Sequence, residues 1–124
     1  GNTMGTNHDE KTRENRRTEE AFLQCVAKAV TETRGVHSLG ERMGDSLYHG
    51  FTGRRSLRKG IKVAKGGKGP IVDIFVVVEY GVHIPDVAFN IQTNVKHALK
   101  QKFDLKIEAI NIQVQGVHTT RIKR

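Results

Sequence analysis

The chain has no tryptophan, one cysteine and two prolines, and only 6% of its 124 residues are aromatic. The core must therefore be assembled from small aliphatic side chains, and an apolar content of 36% keeps it modest. A lone Cys25 excludes an intramolecular disulfide and offers no cysteine pair to zinc, which fits a reducing, cytoplasmic setting. No apolar run approaches the roughly 18–20 residues that span a bilayer, and no charged-then-apolar leader opens the chain. Direct membrane insertion is therefore not expected, and a role at a membrane would need recruitment by something else. The length suits one domain with tails rather than two cores. Acidic residues are also missing from one long stretch. Between Ser46 and Val72 there is no Asp or Glu, while seven bases fall there: Arg54, Arg55, Arg58, Lys59, Lys62, Lys65 and Lys68. Set in a chain of net charge +8, this segment reads either as solvated surface or as a site for a polyanion.

The rest of the pattern is that of a small α+β domain. Residues 1–17 hold one large apolar side chain, Met4, and are expected to form a disordered tail, because they cannot bury enough surface to offset their ordering entropy. A single domain is expected over residues 18–118, followed by a short basic tail, 119–124. Its first helix should begin near Thr18, a competent cap, with Glu19 and Glu20 favoured by the dipole in the first turn. Phe22, Cys25, Val26, Ala29 and Val30 recur there at helical spacing, and Gly35 suits the exit. Residues 36–58, interrupted by glycines at 40, 44, 50 and 53, read as a mobile basic loop, with only a weak helical spacing at Leu39, Met43 and Leu47. Lys59 to Lys65 alternates like a short edge strand guarded by lysines. Gly66-Gly67-Lys68-Gly69-Pro70 is turn chemistry that should fold it against the next strand as a hairpin.

That next strand, Ile71 to Tyr80, carries an unbroken apolar face of Val72, Ile74, Val76, Val78 and Tyr80, so it should be central. Pro85 and Asp86 suit the first turn of a helix bearing Val87, Ile91, Val95, Leu99 and Phe103 at steps of four. Lys106 to Val117 then alternates Ile110, Ile112 and Val114 with Asn111, Gln113 and Gln115. A strand–helix–strand crossover is right-handed and makes its strands parallel. The expected architecture is helix-strand-strand-helix-strand: a mixed three-stranded sheet with two helices packed on one face. The other face of the central strand holds Asp73, Phe75, Val77 and Glu79. Phe75 and Val77 would be exposed there unless a partner, a second copy or the loop covers them, which makes these four residues a candidate protein-interaction surface.

Catalytic equipment is sparse, and an enzyme is not expected. Cys25 falls in an apolar helical stripe with no cation evidently placed to activate it. The histidines at 8, 37, 49, 83, 97 and 118 show no metal-ligand spacing, so neither a metal nor another cofactor is expected. Asp73 and Glu79 are too far apart along a strand to act as a carboxylate pair. Gly66 to Gly69 lacks the spacing and following helix of a phosphate loop. Gly50-Phe51-Thr52-Gly53, followed by Arg54 and Arg55, matches the loop with which KH domains clamp RNA. An RNA-binding module using residues 50–68 is the alternative reading, although the chain offers few aromatics for base stacking.

The run Val76-Val77-Val78-Glu79-Tyr80-Gly81-Val82-His83-Ile84-Pro85-Asp86-Val87-Ala88, continued by Ile91-Gln92, Val95 and Ile110-Asn111-Ile112-Gln113-Val114-Gln115-Gly116-Val117, resembles the alkaline-shock protein family of Gram-positive bacteria. The likeness spans roughly Ala21 to Val117. Two departures stand out: no clear strand precedes the first helix, and Asp104 occupies a place where the family commonly has glycine. The resemblance implies a non-enzymatic, intracellular protein of the general and envelope stress responses, acting through protein–protein contacts or self-association. Some members of that family are held at the membrane by a membrane-anchored partner, a route by which this chain could reach its inner face, and the resemblance implies no catalytic residues and no cofactor.

Overall fold

Alternating valines on one strand organise the molecule. In the computed structural model, the backbone is described over residues 3–40 and 55–119 and the side chains over 17–40 and 59–119. The elements run α1 (Thr3–Thr31), β1 (Val36–Leu39), β2 (Arg55–Arg58), β3 (Ile61–Lys65), β4 (Pro70–Glu79), α2 (Ile84–Phe103) and β5 (Ala109–His118). Val72, Ile74, Val76 and Val78 project from β4 into the core and are essentially sealed from solvent. Phe22, Val26 and Val30 of α1 and Val87, Ile91, Val95 and Leu99 of α2 meet them there, joined by Ile61 and Ile110. Each such side chain gains about 1.5–3 kcal/mol by leaving water. Both helices therefore lie on one face of the sheet, and they also pack on each other, with the Phe22 and Phe103 rings 5.7 Å apart.

The central strand has an unusual division of partners. β5 runs parallel along one edge of β4, from Ile71 opposite Ala109 to Glu79 opposite His118. The other edge is shared: β3 pairs antiparallel with Pro70 to Ile74, and β1 pairs antiparallel with Val76 to Val78. The handover falls on Phe75, whose N–H donates to the Gly60 carbonyl at 2.8 Å and whose carbonyl accepts the Gly40 N–H at 2.6 Å. Gly60 has φ +76°, and a Cβ placed there would lie 2.8 Å from the Leu39 Cβ and 3.1 Å from the Phe75 carbonyl oxygen. A side chain is thus excluded by both conformation and space.

The α+β class, the mixed sheet, the central β4, the hairpin through Gly66–Gly69 and the parallel crossover agree with the sequence reading. Several details differ. The sheet has five strands rather than three, because β1 and β2 form at the two ends of the segment expected to be a mobile loop. Each is four residues long, too short for alternation to register. β3 is consequently flanked by β2 and is not an edge strand. Tyr80 lies beyond the end of β4 and is 76% exposed rather than part of the apolar face. Helix α1 starts at Thr3, so residues 3–17 are helical where a disordered tail was expected. No proline or glycine interrupts the sequence from Thr6 to Arg34, and extending an established helix costs far less than nucleating one. The Met43–Leu47 spacing and the Gly50–Gly53 loop lie outside the described residues.

Helix α2 starts as expected, with Pro85 and Asp86 in its first turn and Lys100 and Lys102 in its last. It ends on Asp104 in the left-handed conformation, φ 54° and ψ 41°, with the Asp104 N–H donating to the Lys100 carbonyl. That left-handed geometry is one that glycine adopts without steric cost.

Candidate interaction surface

The face of β4 turned away from the helices brings together Asp73, Phe75, Val77 and Glu79, as alternation requires. Their environments differ. Asp73 is held from both sides: the Lys62 Nζ lies 3.4 Å from its Oδ2, and the Asn111 amide donates to its Oδ1 at 2.8 Å. These contacts follow from register, since Lys62 on β3 and Asn111 on β5 both stand opposite Asp73. Phe75 is only 6% exposed. It is therefore not an open apolar group, although it faces away from the helical core. The Gln115 side chain reaches over this area: a Cβ on Gly40 would come within 2.8 Å of the Gln115 Cδ and 3.2 Å of the Phe75 Cβ. Val77 is half-buried, while Asn111, Gln113 and Gln115 present an exposed, amide-rich row on β5. β5 pairs only with β4 among the described residues, so its outer edge is an available strand edge.

Glu79 sits at the far end of this face. Its Oε1 lies 3.2 Å from the His118 Nδ1 and its Oε2 lies 3.2 Å from the His37 Nδ1. The two imidazoles stack, with centroids 3.7 Å apart and planes within 6°. Hydrogen bonds from His118 and then His37 hold the Glu79 carboxyl below the ordinary carboxylate range. Sequence reasoning treated these histidines as scattered. They are 42 and 39 positions from Glu79, and only the pairing of three strands brings them together.

Of the seven bases of the acid-free stretch, Lys59, Lys62, Lys65 and Lys68 have described side chains. Lys62 is drawn to Asp73, whereas Lys59, Lys65 and Lys68 are exposed. The Lys68 N–H donates to the Glu108 Oε1 at 2.9 Å. Arg55 and Arg58 belong to β2, and Arg54 lies outside the described residues. Cys25 is half-buried on a groove between the helices that Lys28, His97 and Lys102 also line. Burial pushes its thiol pKa up, while Lys102 and Lys28 pull the other way. Cations do therefore stand near it, contrary to the sequence reading, but burial prevails and the thiol is not activated. No described helix is long and apolar enough to cross a membrane.

Relatives extend these observations. The chain is 38% identical over 91 residues to Spy1535 of Streptococcus pyogenes, covering 72% of this chain and 67% of that protein. It is 36% identical over 104 residues to YloU of Bacillus subtilis, covering 82% and 85%. It is 33% identical over 96 residues to a Streptococcus pyogenes protein named stress response regulator gls24 homolog, covering 77% of this chain and 54% of that one. Among solved structures, the copper form of the MamM C-terminal domain superimposes with a TM-score of 0.45 at 15% identity, over 85% of this chain and 92% of that chain. A superposition that loose carries no functional argument. The sequence profile of the alkaline shock protein 23 family, described as having a cell envelope-related function, matches residues 7–119, and the chain belongs to that family.

Proposed function

We propose that this protein is a non-enzymatic adaptor of envelope homeostasis under stress, acting by binding other proteins and brought to the inner face of the membrane by a membrane-anchored partner. The family match across residues 7–119 carries this reading. The name of the gls24-like relative supports the link to stress. The groups that converge on β4 are carboxylates, amides and imidazoles, which suit polar contacts with another protein.

The contact surface in this reading is the amide-rich face of β4 and β5 around Val77 and Gln113, continued onto the outer edge of β5. An exposed strand edge gives a partner main-chain hydrogen bonds, and the flanking side chains supply selectivity. Phe75 supports this surface from below rather than touching the partner. The test is a pull-down from cells under envelope stress with Val77→Asp plus Gln113→Arg, alongside circular dichroism to verify folding. Loss of captured proteins with an unchanged spectrum is expected. A folded variant that retains every partner defeats the assignment. Retention of nucleic acid instead, weakening steeply as salt rises, would favour the RNA-binding alternative through residues 50–68.

A further inference from the structure

We propose that His37, Glu79 and His118 form a binding site for a divalent transition-metal ion, with Zn2+ the ion best suited to the donors. The three side chains offer two imidazole nitrogens and a carboxylate, with their ligand atoms within 4.8 Å of one another. The spacing that lets both imidazoles hydrogen-bond to the carboxylate also suits a bound ion. Both nitrogen-to-oxygen separations here are 3.2 Å. An ion about 2.0–2.1 Å from each ligand holds neighbouring donors about 2.9–3.4 Å apart, from octahedral to tetrahedral angles. Each imidazole nitrogen already stands at such an edge length from one of the two carboxylate oxygens, and the three ligand atoms have only to close from within 4.8 Å to surround an ion.

The scaffold fixes the ligands from three adjacent strands. His37 belongs to β1, Glu79 to β4, and His118 stands directly opposite Glu79 on β5. The main chain ties the corner together: the Glu79 N–H donates to the Gly35 carbonyl and the Tyr80 N–H to the His118 carbonyl, each at 2.9 Å. Ligands held on strands need little reorganisation to receive an ion. Adjustment is required. To ligate through Nδ1 the two imidazoles must give up their hydrogen bonds to Glu79, carry any remaining proton on Nε2, and splay from their stack by rotation about their side-chain bonds. Side-chain exposures of 38% and 40% for His37 and His118 leave room for this and for entry of the ion. Imidazole ligands select against Mg2+ and Ca2+, which prefer all-oxygen shells. Three protein ligands leave at least one position for water or for a group from a partner.

The experiment is isothermal titration of the whole chain with ZnCl2, with MgCl2 as control, repeated on His37→Ala, His118→Ala and Glu79→Gln. Co2+ absorption reports the coordination number. One Zn2+ per chain is expected, no heat with Mg2+, and a loss of affinity of at least about tenfold in each variant, since even outer-shell partners of metal ligands cost that much. Glu79→Gln preserves volume and serves if a histidine variant fails to fold. Absence of saturable Zn2+ binding overturns the proposal. So does binding of unchanged affinity in the folded variants, which would place the ion on other histidines. The proposal is independent of the adaptor reading and stands or falls without it.

Discussion

Replacing Asp104 with glycine should stabilise this domain, and the reason is visible in one backbone angle. Asp104 is the only described non-glycine residue with positive φ, and it closes α2 through its N–H bond to Lys100. The left-handed conformation costs an L-residue roughly 1–2 kcal/mol, somewhat less for Asp, whose short polar side chain tolerates it. The carboxylate also stands at the negative end of the helix dipole, worth about 0.3–1 kcal/mol at an exposed position. Against these terms, glycine forfeits about 0.5–1 kcal/mol through the greater freedom it gives the unfolded chain. The balance is a gain of about 0.5–1.5 kcal/mol, which for a chain of this length raises Tm by about 2–6 °C. Scanning calorimetry at moderate salt would measure it. Asp104→Asn separates the contributions, since it keeps a side chain that tolerates the conformation and removes only the charge. It should therefore recover the dipole part and no more. A Tm for Asp104→Gly equal to or below that of the parent protein would refute the reasoning.

Gly60→Ala should do the opposite. A methyl group at φ +76° meets the Leu39 Cβ and the Phe75 carbonyl, so a loss of about 2 kcal/mol or more is expected in urea melts, and an unchanged midpoint would contradict the handover geometry. For Cys25, burial raises the thiol pKa, so the folded state holds that proton more tightly than the unfolded state. Its contribution to stability is complete below the ordinary thiol pKa and is lost as pH rises through the raised value. Iodoacetamide should accordingly modify the folded protein more slowly than the urea-unfolded chain between about pH 8 and 9. Faster modification of the folded form would mean that Lys102 and Lys28 outweigh burial.

What could be read in the sequence was whatever repeats. The four valine and isoleucine positions of β4, the four-residue steps of α2 and the alternation of β5 each give a periodic signal, and each formed its element. β1 and β2 escaped because four residues hold barely two alternations, and glycines border them. The length of α1 escaped for a different reason. Amphipathic spacing starts only at Phe22, so a polar extension looked like a tail. Asp73, Phe75, Val77 and Glu79 were correctly placed on one face, but what each faces depends on residues far along the chain. Lys62, Asn111, His37 and His118 reach them only through register, and register is not written in local spacing. The same limit made the Glu79 cluster invisible, as ligands on three strands share no motif.

The handover at Phe75 has a consequence for how such a chain can change. Gly40 and Gly60 bond to the carbonyl and the N–H of one residue, so β1 and β3 meet end to end on one edge of β4, with β2 added beyond β3. Closing a connection costs only about 0.6 kcal/mol more for each doubling of its length. Residues between β1 and β2 could be inserted, removed or recharged with no described strand shifting its partner. New binding specificity can thus be fitted between β1 and β2 while the valine-rich core stays as it is.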